Sequence, residues 1–147
     1  INNTNNTHKP LPKNYYKMNC GNIVKNTENR FYLNEIAEIT KEAKKVFLGK
    51  RSNQETLSEI SKLLNETWII KKKLSKMVSN KKIDQIFEYA VKNGASSGKL
   101  LGAGGGGFSI FLSKNMKEKR KLIKSLKKFS VVDYNFEKLG SQILYNK

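Results

Sequence analysis

Apolar residues recur at helical spacing through the first two-thirds of the chain, then give way to short apolar runs broken by glycine. From Leu33 onward, Ile36, Ala37, Ala43, Val46 and Phe47 mark one face of a helix that Gly49 can stop. A second helix is predicted from about Gln54 to Met77, with Leu57, Ile60, Leu63, Leu64, Trp68 and Leu74 inward and Lys71 adding its methylene stem. Trp68 continues that stripe, so it is expected in the core rather than as an exposed stacking platform. Lys71-Lys72-Lys73 is expected to form a solvated face. Ser79 or Asn80 can cap a third helix carrying Ile83, Ile86, Phe87, Ala90 and Val91, which Gly94 ends.

Five of the ten glycines fall between Gly102 and Gly107, with Leu100-Leu101 before them and Ile110-Phe111-Leu112 after. A flexible linker would not leave those side chains in water, so the stretch predicts strand, tight glycine loop, strand. A fourth helix should follow with Met116, Leu122, Ile123, Leu126 and Phe129 inward. Val132, Tyr134 and Phe136 alternate with polar or outward positions, as in a half-buried strand. Glu137-Lys138-Leu139-Gly140 turns the chain, and Ile143 and Tyr145 mark a last strand. Helices first and strand pairs later give an α+β fold with an antiparallel sheet.

A chain of 147 residues suggests one domain that buries enough surface to need no disulfide. Residues 1–14 hold almost nothing apolar, so residues 1–21 are expected to be a polar, irregular leader and 22–147 the domain. A single cysteine, Cys20, fits a reducing, cytoplasmic setting. No apolar stretch is long enough to span a bilayer, and no membrane partner is expected. The chain opens on Ile1, without a charged-then-apolar leader, which reads as a piece of something longer.

The net charge of +17 points to nucleic acid or another polyanion. Against nucleic acid stand the scarcity of arginine (Arg30, Arg51 and Arg120) and lysines spread beside abundant Asn and Ile, as a biased proteome would spread them. An acidic partner domain could also balance this charge.

Candidate chemistry is sparse. Gly102, Gly104 and Gly107 fit G-x-G-x-x-G, but that fingerprint must open a helix, and a strand pattern follows. Gly94-Ala95-Ser96-Ser97-Gly98-Lys99 is one residue short of a Walker A loop and has Leu100 where Ser or Thr should stand. His8 lies in the polar leader with nothing to orient it. Asp84 reads as a helix-dipole partner and Asp133 as a solvent-facing strand residue. There is no metal-ligand cluster and no nucleophile–base pair, so no catalytic or metal-binding residue is assigned.

Lys99-Leu100-Leu101-Gly102-Ala103-Gly104-Gly105-Gly106-Gly107-Phe108 resembles the C-terminal glycine motif of the GHMP kinases. Leu64-Asn65-Glu66-Thr67-Trp68, Lys71 to Ser75, and Ile83 to Phe87 resemble the paired helices before that motif in the family's heptose 7-phosphate kinase-like branch. Phe136 to Ser141 resembles its terminal hairpin. The resemblance implies a ferredoxin-like C-terminal domain of an ATP- and Mg-dependent sugar or sugar-phosphate kinase. It implies that Gly102, Ala103, Gly104, Gly105, Gly106 and Gly107 face nucleotide and substrate phosphates, with Lys99 either an electrostatic contributor or a strand lysine reaching water. It also implies an N-terminal kinase domain as partner, carrying the triphosphate loop and the catalytic residue, neither of which is in this sequence. The chain alone is therefore expected to be inactive. An oligomer is left open, and a stand-alone polyanion-binding module is the alternative.

Overall fold

A computed structural model of the chain describes residues 27–132 together with 134 and 142. Among the described residues, four helices and one strand pair make an α+β arrangement: α1 (Thr27–Leu48), α2 (Asn53–Leu74), α3 (Lys81–Lys92), β1 (Ser97–Leu100), β2 (Ser109–Leu112) and α4 (Met116–Ser125). The leader, the terminal turn, the last strand, His8, Cys20, Asp133 and the expected boundary at residue 21 lie outside the described residues.

Three of the helices begin with a side-chain cap. Ser52 caps α2 through a capping box: its hydroxyl accepts from the Glu55 N–H, and the Glu55 carboxylate accepts from the Ser52 N–H at 2.9 Å. Asn80 caps α3 by accepting from the Ile83 N–H, and Asn115 caps α4 by accepting from the Glu118 N–H. α2 stops at Leu74, short of the expected Met77, because Ser75 is extended. The Ser75 hydroxyl and carbonyl then accept from the Met77 and Val78 N–H groups and turn the chain.

Trp68, Val78, Ile83 and Leu100 form one buried cluster with Phe87 against it. Ala90, Ala95, Leu122 and Leu126 form a second, with Phe111 and Phe129 against it. Phe87 joins the two, stacking on Trp68 and tilted against Phe111 with ring centroids 5.0 Å apart in each case. Trp68 is thus a core residue, as its place in the apolar stripe predicts.

Several inward assignments are corrected. Phe47, Val91, Met116 and Ile123 are exposed. Each lies a step of about 100° off a stripe that smaller or better-placed residues complete, such as Val46 on α1, Ala90 on α3 and Leu122 on α4. α1 starts at Thr27, six residues before Leu33. Val131, Val132 and Tyr134 are exposed and belong to no strand, and no described strand lies alongside to take their backbone groups.

β1 and β2 pair antiparallel, with Ser97 opposite Leu112, Gly98 opposite Phe111, Lys99 opposite Ile110 and Leu100 opposite Ser109. The Ser96 N–H donates to the Leu112 carbonyl and the Leu101 N–H to that of Phe108, so the ladder runs one residue past each end of β1. The Phe111 ring covers Gly98, where a Cβ would stand 2.9 Å from the Ile110 carbonyl oxygen. α2 lies against β1 through the Ser61 hydroxyl, which donates to that of Ser96, and the Asn65 amide, which donates to the Ser96 carbonyl. This packing brings the last turn of α2 to the mouth of the hairpin.

Candidate functional site

The loop of the hairpin runs from Gly102 to Gly107 and leads into strand β2 rather than into a helix. Gly102, Gly104, Gly105 and Gly107 all take positive φ, between 73° and 110°, which a side chain would oppose. Their surroundings differ, and the difference divides the loop into an anchored part and an outward part.

Gly104 is buried, and a Cβ there would stand 2.6 Å from Val78 Cα. The Gly105 N–H donates to the Val78 carbonyl at 3.0 Å. These two glycines fasten the loop to the α2–α3 connection, whose shape the Ser75 turn sets. Gly102, Gly106 and Gly107 are exposed, and a Cβ on any of them would meet nothing within 4 Å. Among the described residues, the Gly106 and Gly107 N–H groups donate to no protein acceptor. Outward N–H groups on a bare backbone form a surface that an anion can approach closely. Ala103 sits half-buried between the anchored and outward parts.

Lys71 is the residue that sequence reasoning missed. Its ammonium does not lie in water but donates to the carbonyls of Leu100 at 3.2 Å and Gly102 at 2.5 Å, at the entrance of the loop. Burial, and after it the charge of Lys99, pulls the Lys71 ammonium below the usual lysine range. Lys99 is half-buried on β1, and its influence on Lys71 brings two positive charges to one side of the loop. The other two lysines of the run go elsewhere. Lys72 reaches the Asp84 carboxylate at 3.4 Å and the face of Trp68, and Lys73 lies over Tyr32. The expected solvated face holds for Lys72 and Lys73, which are exposed, and is corrected for Lys71, for which the helical stripe that predicted an inward stem was the available signal.

The donor set suits phosphate oxygens. It consists of outward backbone N–H groups, a glycine surface with room beside it, and two ammonium charges behind. Asp84, in the first turn of α3, accepts from the Ser79 hydroxyl at 3.0 Å and from Lys72, which leaves it in a capping role. Among the described residues there is no group of three His, Cys, Asp or Glu side chains that could hold a metal ion. No described helix is long and apolar enough to cross a membrane.

Residues 36–131 match the family model described as GHMP kinases C terminal. Over 83 residues the chain is 42% identical to the D-glycero-alpha-D-manno-heptose 7-phosphate kinase of Campylobacter jejuni subsp. jejuni serotype O:2, a stretch covering 55% of this chain and 24% of that protein. Over 83 residues it is 35% identical to the bifunctional fucokinase/GDP-fucose pyrophosphorylase of Arabidopsis thaliana, covering 54% of this chain and 8% of that protein. The matched stretch is therefore a quarter or less of each relative's length. The glycine hairpin, the helices that hold it and the family match agree: the chain belongs to the GHMP kinase C-terminal family.

Proposed function

We propose that residues 22–147 form the C-terminal domain of a cytoplasmic sugar or sugar-phosphate kinase, and that the Gly102–Gly107 loop is the phosphate-facing wall of its active site. The observation that carries this reading is the division of the loop. Gly104 and Gly105 are held on Val78, and Gly106 and Gly107 stand exposed beyond them with N–H groups that donate to no described acceptor. A hairpin serving only as a turn has no use for glycine at Gly106, where φ is ordinary and the space beside it is open.

ATP supplies the transferred phosphoryl group and Mg the neutralising charge when bound. The part of this chain is to bind, orient and screen. The Gly106 and Gly107 N–H groups donate to phosphate oxygens. Lys71 occupies the carbonyls of Leu100 and Gly102, so that these oxygens do not confront the anion. Lys99 adds positive potential. Positioning and electrostatic stabilisation make up most of the catalysis of phosphoryl transfer, so a wall without a nucleophile or base still contributes to rate. The base and the main triphosphate loop belong to an N-terminal kinase domain, and the acceptor is a monosaccharide or its phosphate, in keeping with the names of both relatives.

The test compares this chain alone with the chain joined to the coding sequence upstream of Ile1. The joined protein should transfer phosphate from ATP to heptose 7-phosphate or a free hexose, and the chain alone should not. Turnover by the chain alone, abolished by changing one of its own residues, would overturn the split-site reading.

A further inference from the structure

We propose that the outward face of α4 is a docking surface for an anionic lipid bilayer. The positive charge of this protein is not spread evenly. α1 has four cations and four acids, α2 four and three, and α3 three and two. Residues 114–128 have eight cations against the single acid Glu118. A proteome rich in lysine would load every helix alike, and it has not. On α1 and α2, lysines pair with glutamates three residues away, as Lys41 does with Glu38 and Lys62 with Glu59. Among the described residues no cation of α4 has an ion pair.

The helix geometry collects these charges on one side. Leu122 and Leu126 face the second core cluster. The opposite side carries Lys117, Arg120 and Lys124, with Lys127 just past the helix end. Met116 and Ile123, about 100° round the helix from the buried leucines, flank that side and are 60% and 40% exposed. This combination decides the partner. Nucleic-acid phosphates would satisfy the cations but leave the two apolar side chains wet, whereas a bilayer surface takes phosphates and apolar groups together. Seven of the eight cations are lysines, point charges suited to a diffuse anionic surface rather than to base edges. α4 is held at the end of the hairpin away from the glycine loop. Glu118 lies against Gly94, just before β1, where a Cβ would stand 2.6 Å from the Glu118 carbonyl oxygen. The surface therefore does not depend on the loop being an active-site wall. It revises the expectation of no membrane partner, which rested on the absence of a spanning stretch.

The test is co-sedimentation of the 147-residue chain with phosphatidylcholine vesicles, with and without phosphatidylglycerol. Binding should be at least about tenfold stronger to the anionic vesicles and should fade at high salt. The triple change Arg120→Glu, Lys124→Glu and Lys127→Glu should weaken it by about 100-fold or more. The same change of charge at Lys44, Lys50 and Lys76 should weaken it far less. Met116→Ser with Ile123→Ser should weaken vesicle binding several-fold and leave binding to duplex DNA unchanged. Circular dichroism confirms that each variant keeps its helices. Equal losses from the two triple variants, binding to duplex DNA without binding to anionic vesicles, or no vesicle binding by the unchanged chain would each overturn the proposal.

Discussion

The Lys71 ammonium donates to the Gly102 carbonyl at 2.5 Å, so a helix far back in the chain holds the first residue of the glycine loop. The same group also takes the Leu100 carbonyl. Lys71→Met keeps most of the stem and removes both bonds. Amide exchange at Gly105, whose N–H is bonded to the Val78 carbonyl, should then speed up while α2 and α3 stay protected. Unchanged exchange in the loop would show that Lys71 is not what holds it.

Lys71 should titrate below the ordinary lysine value, and Lys99→Gln should raise it, because one of its two depressing causes is gone. A folded value below the unfolded one means that the unfolded chain binds this proton more tightly. The contribution of Lys71 to stability therefore grows as pH rises from the lowered value to the ordinary lysine value. Side-chain nitrogen NMR of the two proteins reads the shift directly. A Lys71 value that falls or stays put in Lys99→Gln contradicts the shared charge environment.

Gly104 and Gly106 should respond oppositely to alanine. At Gly104 the methyl meets the Val78 backbone at positive φ, and the cost should be about 1–3 kcal/mol or more. At Gly106 nothing stands within 4 Å and φ is ordinary, so the change should lie within about 0.5 kcal/mol. Denaturant midpoints of the two variants check the difference. Equal losses would mean that the loop is not anchored on one side only.

Ser97 is wholly buried, and its hydroxyl has no hydrogen-bond partner among the described residues. An unsatisfied buried hydroxyl costs about 1–3 kcal/mol. Ser97→Ala should therefore be neutral or stabilising, by up to about 1 kcal/mol, as the melting temperature would report. A clear loss of stability would mean that the hydroxyl does find a partner.

Much of this fold was legible because its signals are local. The Ile83, Phe87 and Ala90 spacing, the Asn80 cap and the glycine run between two apolar stretches each specify structure within a few residues. The capping box was legible too, in Ser52 and Glu55, although the spacing argument passed over it and started α2 at Gln54. What could not be read were contacts across distance. Nothing in Lys71-Lys72-Lys73 says that the first ammonium meets a carbonyl 31 residues later, because helical period gives direction and not partner. Nor does a run of glycines say which ones are anchored. Gly104 and Gly106 look alike until Val78 is placed beside one of them. The exposure of Met116 and Ile123 escaped for a related reason: in a short helix, two buried leucines suffice for the inward face. The concentration of charge between 114 and 128 was visible by counting, and became meaningful once the cations of α4 were seen at the surface.

The reading of the loop as a phosphate-facing wall is tested most directly at Gly106, in this chain joined to the N-terminal kinase domain proposed for it. Gly105 is a poorer site for that test, since its φ of 74° would strain valine whatever the ligand. Gly106→Val should leave the melting temperature nearly unchanged, because a Cβ there has nothing within 4 Å and φ is ordinary. It should lower phosphoryl transfer per folded molecule by on the order of 100-fold, since a displacement of about 1 Å at the reacting groups costs that much. Wild-type turnover per folded molecule in Gly106→Val would contradict the account and leave the loop as scaffold alone.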